Sequence, residues 1–226
     1  MQPAPTTSTT PTHLERIKAG IWDIHEGVSA GPKPEAAESS ENIMKGTLPR
    51  FKYVSNVKQR YLMQKGFEKI LAEYRAKSPF VAAVVTDEQF HADKAATDLR
   101  FFGIDPATVK PLPTTQKLLT FFEETARKDP RLVLAIHYVI EGSNNGAMFI
   151  AKAVKGAYNL EGTDGTLHLQ PYGNAIRDKW KAFGESFNAL DVDDALMTEM
   201  VKVGRSVFHQ MNAIASESYS QPENAA

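Results

Sequence analysis

The sequence predicts an all-α protein that forms a single domain. Apolar residues recur every three or four positions along most of the 226 residues, which is the period of amphipathic helices. The only candidate strand, residues 166–170, is short and isolated, so no sheet is expected. A chain of this length can bury a large core, and one large domain suits it better than two small ones.

Composition and charge exclude several classes of protein. The chain has 26 basic and 27 acidic residues, so no general affinity for nucleic acid is expected. It has no cysteine, which excludes disulfides, thiolate metal sites, iron–sulfur clusters and a cysteine nucleophile. Any metal ligand must therefore be an imidazole or another nitrogen or oxygen donor. Neither a secretion signal nor a long apolar stretch is present, so we expect a cytoplasmic protein without a membrane partner.

The first helix is expected to begin at a capping box. Thr12 is followed three residues later by Glu15, the spacing at which the two residues cap each other's backbone N–H groups. The apolar face of this helix is formed by Leu14, Ile17, Ile21, Ile24 and Val28. The polar segment that begins at Gly31-Pro32 predicts a loop or a short frayed helix.

The later helices are predicted from the same period. They span residues 48–77, 86–102, 113–127, 130–159, 171–187 and 193–215. Ser78-Pro79 ends the first of these, Asp87 is expected to cap the second, and Asp129-Pro130 is a typical helix start. Residues 1–11 and 216–226 are rich in small and polar side chains and are expected to be disordered. The predicted helical domain is therefore 12–215.

His25 has the most informative surroundings among the six histidines. It lies three residues after Trp22 and four after Ile21, at the edge of the apolar face, and Lys18 lies two turns earlier on the same side of the helix. A neutral imidazole with a cation at its rim suits a flat, apolar, iron-bearing molecule that carries carboxylates. The spacing alone nevertheless favours the simpler alternative, a solvated histidine at the edge of a helix.

The second candidate is the segment YVIEGSNNGA at residues 138–147. Strongly helical sequences flank it, yet it contains two glycines and two asparagines, and each glycine costs about 1 kcal/mol relative to alanine inside a helix. Such a segment is either a turn between two helices or a kinked helix whose backbone approaches something closely. Considered alone, a turn at Asn144-Asn145-Gly146 is the simpler interpretation.

These two segments resemble the heme oxygenases, specifically their bacterial, biliverdin-producing branch. The first match is Lys18 and His25 in the context WDIHE, and the second is the pattern YVxEGSxxGA that begins at Tyr138. The resemblance extends over about residues 13–215 and is specific because both motifs occur in the family's order. It implies a multi-helix fold in which heme is sandwiched between a proximal helix and a kinked distal helix.

The resemblance also implies a chemistry. Heme would be both cofactor and substrate, cleaved with dioxygen to biliverdin, carbon monoxide and ferrous iron. His25 would ligate the iron, with its second ring nitrogen held by Glu26 or water. Because the chain has no flavin or nicotinamide motif, electrons would come from an external donor such as a ferredoxin or a flavodoxin-type protein.

Further roles follow from the same resemblance. Gly142 and Gly146 would bring backbone close over the macrocycle, and Ser143 with ordered water would supply protons. Lys18 and Tyr138 would contact the heme propionates. A further cation would come from the segment 177–181, where Arg177 is the first candidate and Lys179 and Lys181 are the others.

The sequence departs from the family in its distal segment. Ser143 and Gly146-Ala147 stand where the animal and cyanobacterial enzymes have an aspartate and a Gly-Gly pair, and Asn145 stands where the bacterial branch usually has leucine. A non-catalytic heme-binding or heme-storage protein on the same scaffold is therefore the alternative. A di-iron oxidase is a weaker one, because it needs several inward carboxylate and histidine ligands that the sequence does not supply.

Overall fold

The computed structural model describes residues 10–30 and 41–223; the side chains of residues 25–30 are outside the described part. Within these ranges the chain is helical and contains no strand, which confirms the predicted fold class. The helices of ten or more residues are α1 (His13–Ala30), α2 (Arg50–Lys77), α3 (Ala92–Phe101), α4 (Pro113–Lys128), α5 (Val133–Tyr158), α6 (Ile176–Asn188) and α7 (Asp194–Ser220). No described helix is both long enough and apolar enough to cross a membrane.

The predicted start of α1 is confirmed. The backbone N–H of Thr12 donates to Oε2 of Glu15 at 2.8 Å, and the N–H of Glu15 donates to the Thr12 hydroxyl at 3.3 Å. The apolar face is buried at Ile17, Ile21 and Ile24. The side chain of Val28 and the loop predicted at Gly31-Pro32 lie outside the described residues.

Two other predicted boundaries are also confirmed. Helix α2 ends at Lys77, directly before Ser78-Pro79. The Asp129 side chain accepts a hydrogen bond from the N–H of Arg131 at 2.9 Å and caps a 3₁₀ turn, Pro130–Leu132, that leads into α5. Local caps and the proline rule thus account for these ends.

The single helix predicted over 86–102 is wrong, because the chain forms two elements there. Thr86 and Gln89 cap each other around a 3₁₀ turn, Asp87–Gln89, so Asp87 is not the cap. Helix α3 begins only at Ala92, where the Glu68 carboxylate of α2 accepts hydrogen bonds from the N–H groups of His91 and Ala92. A cap supplied by a distant carboxylate leaves no local sequence signal.

Two further boundaries differ from the prediction. Helix α6 starts at Ile176 rather than 171, after a 3₁₀ turn that begins at Gly173 with φ of 52°. Helix α7 continues to Ser220, so the predicted start of the disordered tail at residue 216 is wrong. The reason is burial, since Ser218 and Tyr219 lie in the interior. Residues 1–9 and 224–226, at the two predicted disordered ends, lie outside the described residues.

Helix α5 passes through both parts of the core. Its first half is almost completely buried in the larger cluster, beside Phe67, Phe122 and Phe183. Its second half belongs to the smaller cluster and buries one face only, formed by Ala147, Ala151 and Val154. The opposite face of α5 is therefore uncovered from about residue 142 onwards.

Candidate functional site

Helices α1 and α5 meet on α7 at Gly204. A Cβ atom at this position would overlap the Ile21 side chain of α1 and would lie 3.5 Å from Cγ2 of Val139 on α5. Glycine therefore lets both helices approach α7 closely. Because Ile21 lies one turn before His25 and Val139 lies just before the glycines of α5, the two segments that carry the family resemblance are held side by side.

An ion pair fixes α1 against α7 near the same place. Arg205 donates to both carboxylate oxygens of Asp23, at 2.5 and 3.0 Å, and to the backbone carbonyl of Gly20 at 2.9 Å. The hydrogen bonds from Arg205 lower the pKa of Asp23. A two-pronged contact of this kind fixes position as well as charge, so it sets the axial placement of α1 two residues before His25.

One face of α1 carries Lys18, Trp22 and His25 at helical spacings of four and three. The Lys18 ammonium group lies 4.8 Å from the centroid of the Trp22 ring, and Trp22 is 42% exposed. The backbone of His25 is part of α1, but its side chain, like that of Glu26, is outside the described part. His25, the predicted iron ligand, thus lies on the same face of α1 as the Lys18 ammonium group and the Trp22 ring.

The glycine- and asparagine-containing segment lies inside one continuous helix, so the simpler interpretation as a turn is wrong. Two of its side chains bond back to the helix. The Ser143 hydroxyl donates to the carbonyl of Ile140 at 2.7 Å, and the Asn145 amide donates to the carbonyl of Gly142 at 3.2 Å. These bonds help the segment to stay helical despite its low helix propensity.

The uncovered face of α5 is formed by Asn145, Gly146 and Phe149, and Tyr138 and Gly142 continue it towards the half-buried Trp180. Phe149 is 64% exposed. A Cβ atom at position 146 would meet nothing within 4 Å, whereas one at 142 would lie 3.3 Å from Trp180. A large flat ligand can therefore approach the backbone at 146 directly. This face thus combines an exposed aromatic side chain with bare backbone.

The predicted propionate contacts differ in their surroundings. Lys179 pairs with Glu88 at 2.6 Å and Lys181 with Glu185 at 3.7 Å, so both cations already have anionic partners. Arg177 is exposed in the first turn of α6 and forms no ion pair with a described residue. Tyr138 is half-buried, and burial raises the pKa of its phenol to about 12, so it stays a neutral donor.

The sequence profile of the family described as heme oxygenase matches residues 17–217. This chain belongs to the heme oxygenase family. The matched range includes Lys18 and Trp22 of α1 and the whole of α5.

Solved heme oxygenase structures share its fold. The enzyme from Leptospira interrogans superimposes with a TM-score of 0.82 at 20% identity, over 92% of this chain and 100% of that one. Heme oxygenase-2 from Synechocystis, in complex with heme and NO, gives 0.82 at 18% identity, over 92% and 85%. The heme oxygenase from Neisseria meningitidis gives 0.67 at 21% identity, over 94% of each chain. No curated protein sequence matches the chain.

On the buried side of α5, the chain has a polar cluster that sequence reasoning missed. The Tyr172 hydroxyl donates to the Glu141 carboxylate, and the Asn144 amide lies 3.3 Å from the same carboxylate. Glu141 is only 3% exposed, and burial raises its pKa to about 7. The available signal is the carboxylate of Glu141 directly after the strongly apolar sequence that ends at Ile140, because a carboxylate must find partners when it is buried.

Ser143 faces this buried side of α5 rather than the uncovered face. It lines a cavity of about 30 Å³ together with Arg60, His91, Asn144, His168 and neighbouring residues. The volume is sufficient for one or two water molecules, and the lining is polar. The structure thus separates the predicted proton-supplying residue from the two glycines, which lie on the other face.

His137, the histidine of α5, lies in the core. It is 1% exposed, its Nε2 is 3.1 Å from the Gln89 side-chain oxygen, and burial lowers its pKa to about 3. Its ring packs between Phe67 and Phe183 and cannot reach a ligand on the uncovered face. Among the described residues there is no cluster of three or more metal-ligating side chains, so these residues form no di-iron site.

Proposed function

We propose that this chain is an active heme oxygenase that cleaves heme to biliverdin, carbon monoxide and ferrous iron. The observation that carries the proposal is the uncovered face of α5, bare at Gly146, on a helix that packs together with α1 against Gly204 of α7. When heme is bound, its iron supplies oxygen activation and its macrocycle is the substrate. Electrons come from an external ferredoxin or flavodoxin-type donor, and the reaction takes place in the cytoplasm.

In this proposal His25 holds the iron from the α1 side as a neutral imidazole, with Glu26 or water on its other nitrogen. The Arg205–Asp23 ion pair supports this role because it fixes the helix just before the ligand position. The Ile21–Gly204 contact does the same from the buried side of α1.

The α5 residues shape the opposite side of the pocket. Gly146 would leave open the space over the macrocycle where dioxygen must fit, and Gly142 lies one turn earlier against Trp180. Ser143 and Asn144 border the small polar cavity, where water can hold and pass protons. Lys18, Tyr138 and Arg177 would form the rim that meets the propionates. This role suits an exposed cation, a neutral phenol and an exposed guanidinium that pairs with no described carboxylate.

Turnover of bound hemin tests this proposal. Protein reconstituted with hemin is mixed with ascorbate, or with a ferredoxin system, in air, and the products are separated by chromatography. We expect the Soret band to give way to a biliverdin band. If the Soret band persists, the chain is a heme-binding or storage protein; if no heme spectrum forms, both functions are wrong.

A further inference from the structure

Trp180 of α6 lies directly against the first glycine of the distal segment. Its Cη2 and Cζ3 atoms are 3.3 and 3.7 Å from the position that a Cβ of Gly142 would occupy. The second glycine, Gly146, has no such neighbour. The two glycines therefore have different surroundings, although they lie on the same face of α5.

Trp180 is the outer member of an aromatic stack along α6. Its ring stacks on Phe183 at 5.3 Å and an interplanar angle of 14°, and Phe183 stacks on Phe187 at 5.8 Å and 27°. Tyr138 of α5 lies beside it at 5.9 Å. Phe183 and Phe187 are buried, whereas Trp180 is half-buried. The stack thus holds the indole from the core side and leaves its outer part at the uncovered face of α5.

The position of the indole limits where a flat ligand can lie. At Gly142 the backbone is already covered by Trp180, while at Gly146 it is open. A macrocycle placed on this face would rest on the open backbone at Gly146 and would meet the indole at the Gly142 end. The ring stacks on Phe183, but the indole N–H donates to no described residue.

We propose that Trp180 is a heme-contacting residue that closes the Gly142 end of the pocket and helps to fix the rotation of heme about the axis through the iron and His25. Gly142 then has its own role: the lack of a side chain admits the indole, whereas the lack of one at Gly146 admits the ligand. This inference rests on the proposed function. The contrasting possibility is that Trp180 only extends the core, in which case a bound porphyrin does not affect it.

Fluorine NMR separates these possibilities because the chain has only two tryptophans, Trp22 and Trp180. Protein labelled with 5-fluorotryptophan gives two resonances, which the variants Trp22→Phe and Trp180→Phe assign. The ligand is gallium protoporphyrin IX, a diamagnetic analogue of hemin that cannot turn over. Its binding is followed independently by visible absorption.

We expect the Trp180 resonance to move on binding, because the ring current of the macrocycle acts on nuclei close to it. If the porphyrin binds and only the Trp22 resonance moves, the inference about Trp180 is wrong while heme binding stands. If the absorption shows no binding at all, the proposed function fails and the inference fails with it.

Variants of Trp180 give a second measurement. Trp180→Leu should raise the hemin dissociation rate about two- to tenfold, the range expected for one aromatic contact. It should also give a mixture of biliverdin isomers, and Trp180→Phe should restore the single isomer. Phe101→Leu, a change at an exposed aromatic residue of α3, is the matched control. An unchanged dissociation rate and a single isomer in Trp180→Leu would overturn the proposal.

Discussion

The Ile21 side chain of α1 occupies the space where a Cβ atom of Gly204 on α7 would lie. The close approach of these two helices therefore depends on the absence of a single methyl group. Since Ile21 precedes His25 by one turn, this contact also places the predicted iron ligand.

Gly204→Ala should lower the free energy of unfolding by about 1–3 kcal/mol, the usual effect of overpacking a core. Ile21→Val removes the Cδ1 atom that the new methyl group would overlap. The double variant should therefore be more stable than Gly204→Ala alone, as measured by denaturant unfolding. Additive destabilisation by the two changes would contradict the packing described.

Glu141 should make the stability of the protein depend on pH. Its folded pKa of about 7 lies above the ordinary value of 4.5, so the folded state holds the proton more tightly. The resulting stabilisation is fully present below pH 4.5 and is lost as the pH rises through 7, by about 3 kcal/mol in all. Glu141→Gln should flatten this part of the stability profile. The exposed Glu123→Gln is the control, and an unchanged profile in Glu141→Gln would show that another group is responsible.

The two glycines of α5 should respond differently to a large side chain. Gly146→Leu enters open space in the ligand-free protein, so it should leave stability unchanged or raise it by up to about 1 kcal/mol through better helix propensity. It should nevertheless suppress biliverdin formation from hemin. Gly142→Leu should lower stability because it displaces Trp180. Wild-type turnover in Gly146→Leu would show that this face is not next to the heme.

Most of the fold follows from local signals. The apolar period and the caps at Thr12 and Asp129 predict the helices and several of their ends, because these interactions join residues close in the chain. The break before α3 depends instead on Glu68 of another helix. The last turn of α7 depends on the burial of Tyr219, which the polar composition of the tail does not reveal.

The candidate site likewise contains some features that local sequence predicts and others that depend on contacts between distant segments. Helical spacing alone places Lys18 and His25 on one face of α1. Neither Trp180 over Gly142 nor Tyr172 on Glu141 can be predicted from spacing, because each is a contact between segments distant in sequence. The roles assigned to the individual site residues remain predictions.

The heme rim should control the cleavage isomer more than the affinity. An exposed pair between a lysine and a carboxylate contributes only about 0.2–1 kcal/mol, so Lys18→Ala with Tyr138→Phe should keep most of the hemin affinity. With the propionates no longer held, the products should be a mixture of biliverdin isomers on chromatography. Lys202→Ala, which removes an exposed cation of α7 already paired with Glu199, is the control. A single unchanged isomer from the double variant would show that Arg177 or Trp180, rather than Lys18 and Tyr138, fixes the orientation of the heme.

The absorption spectrum of hemin bound to His25→Ala tests the central claim most directly. Without the imidazole, the spectrum should change to one with water or hydroxide on the iron, turnover should stop, and added imidazole should partly restore both. His209→Ala, at an exposed position of α7, should behave like the wild type. A wild-type spectrum and rate in His25→Ala would contradict the claim that heme is held from α1 by this histidine.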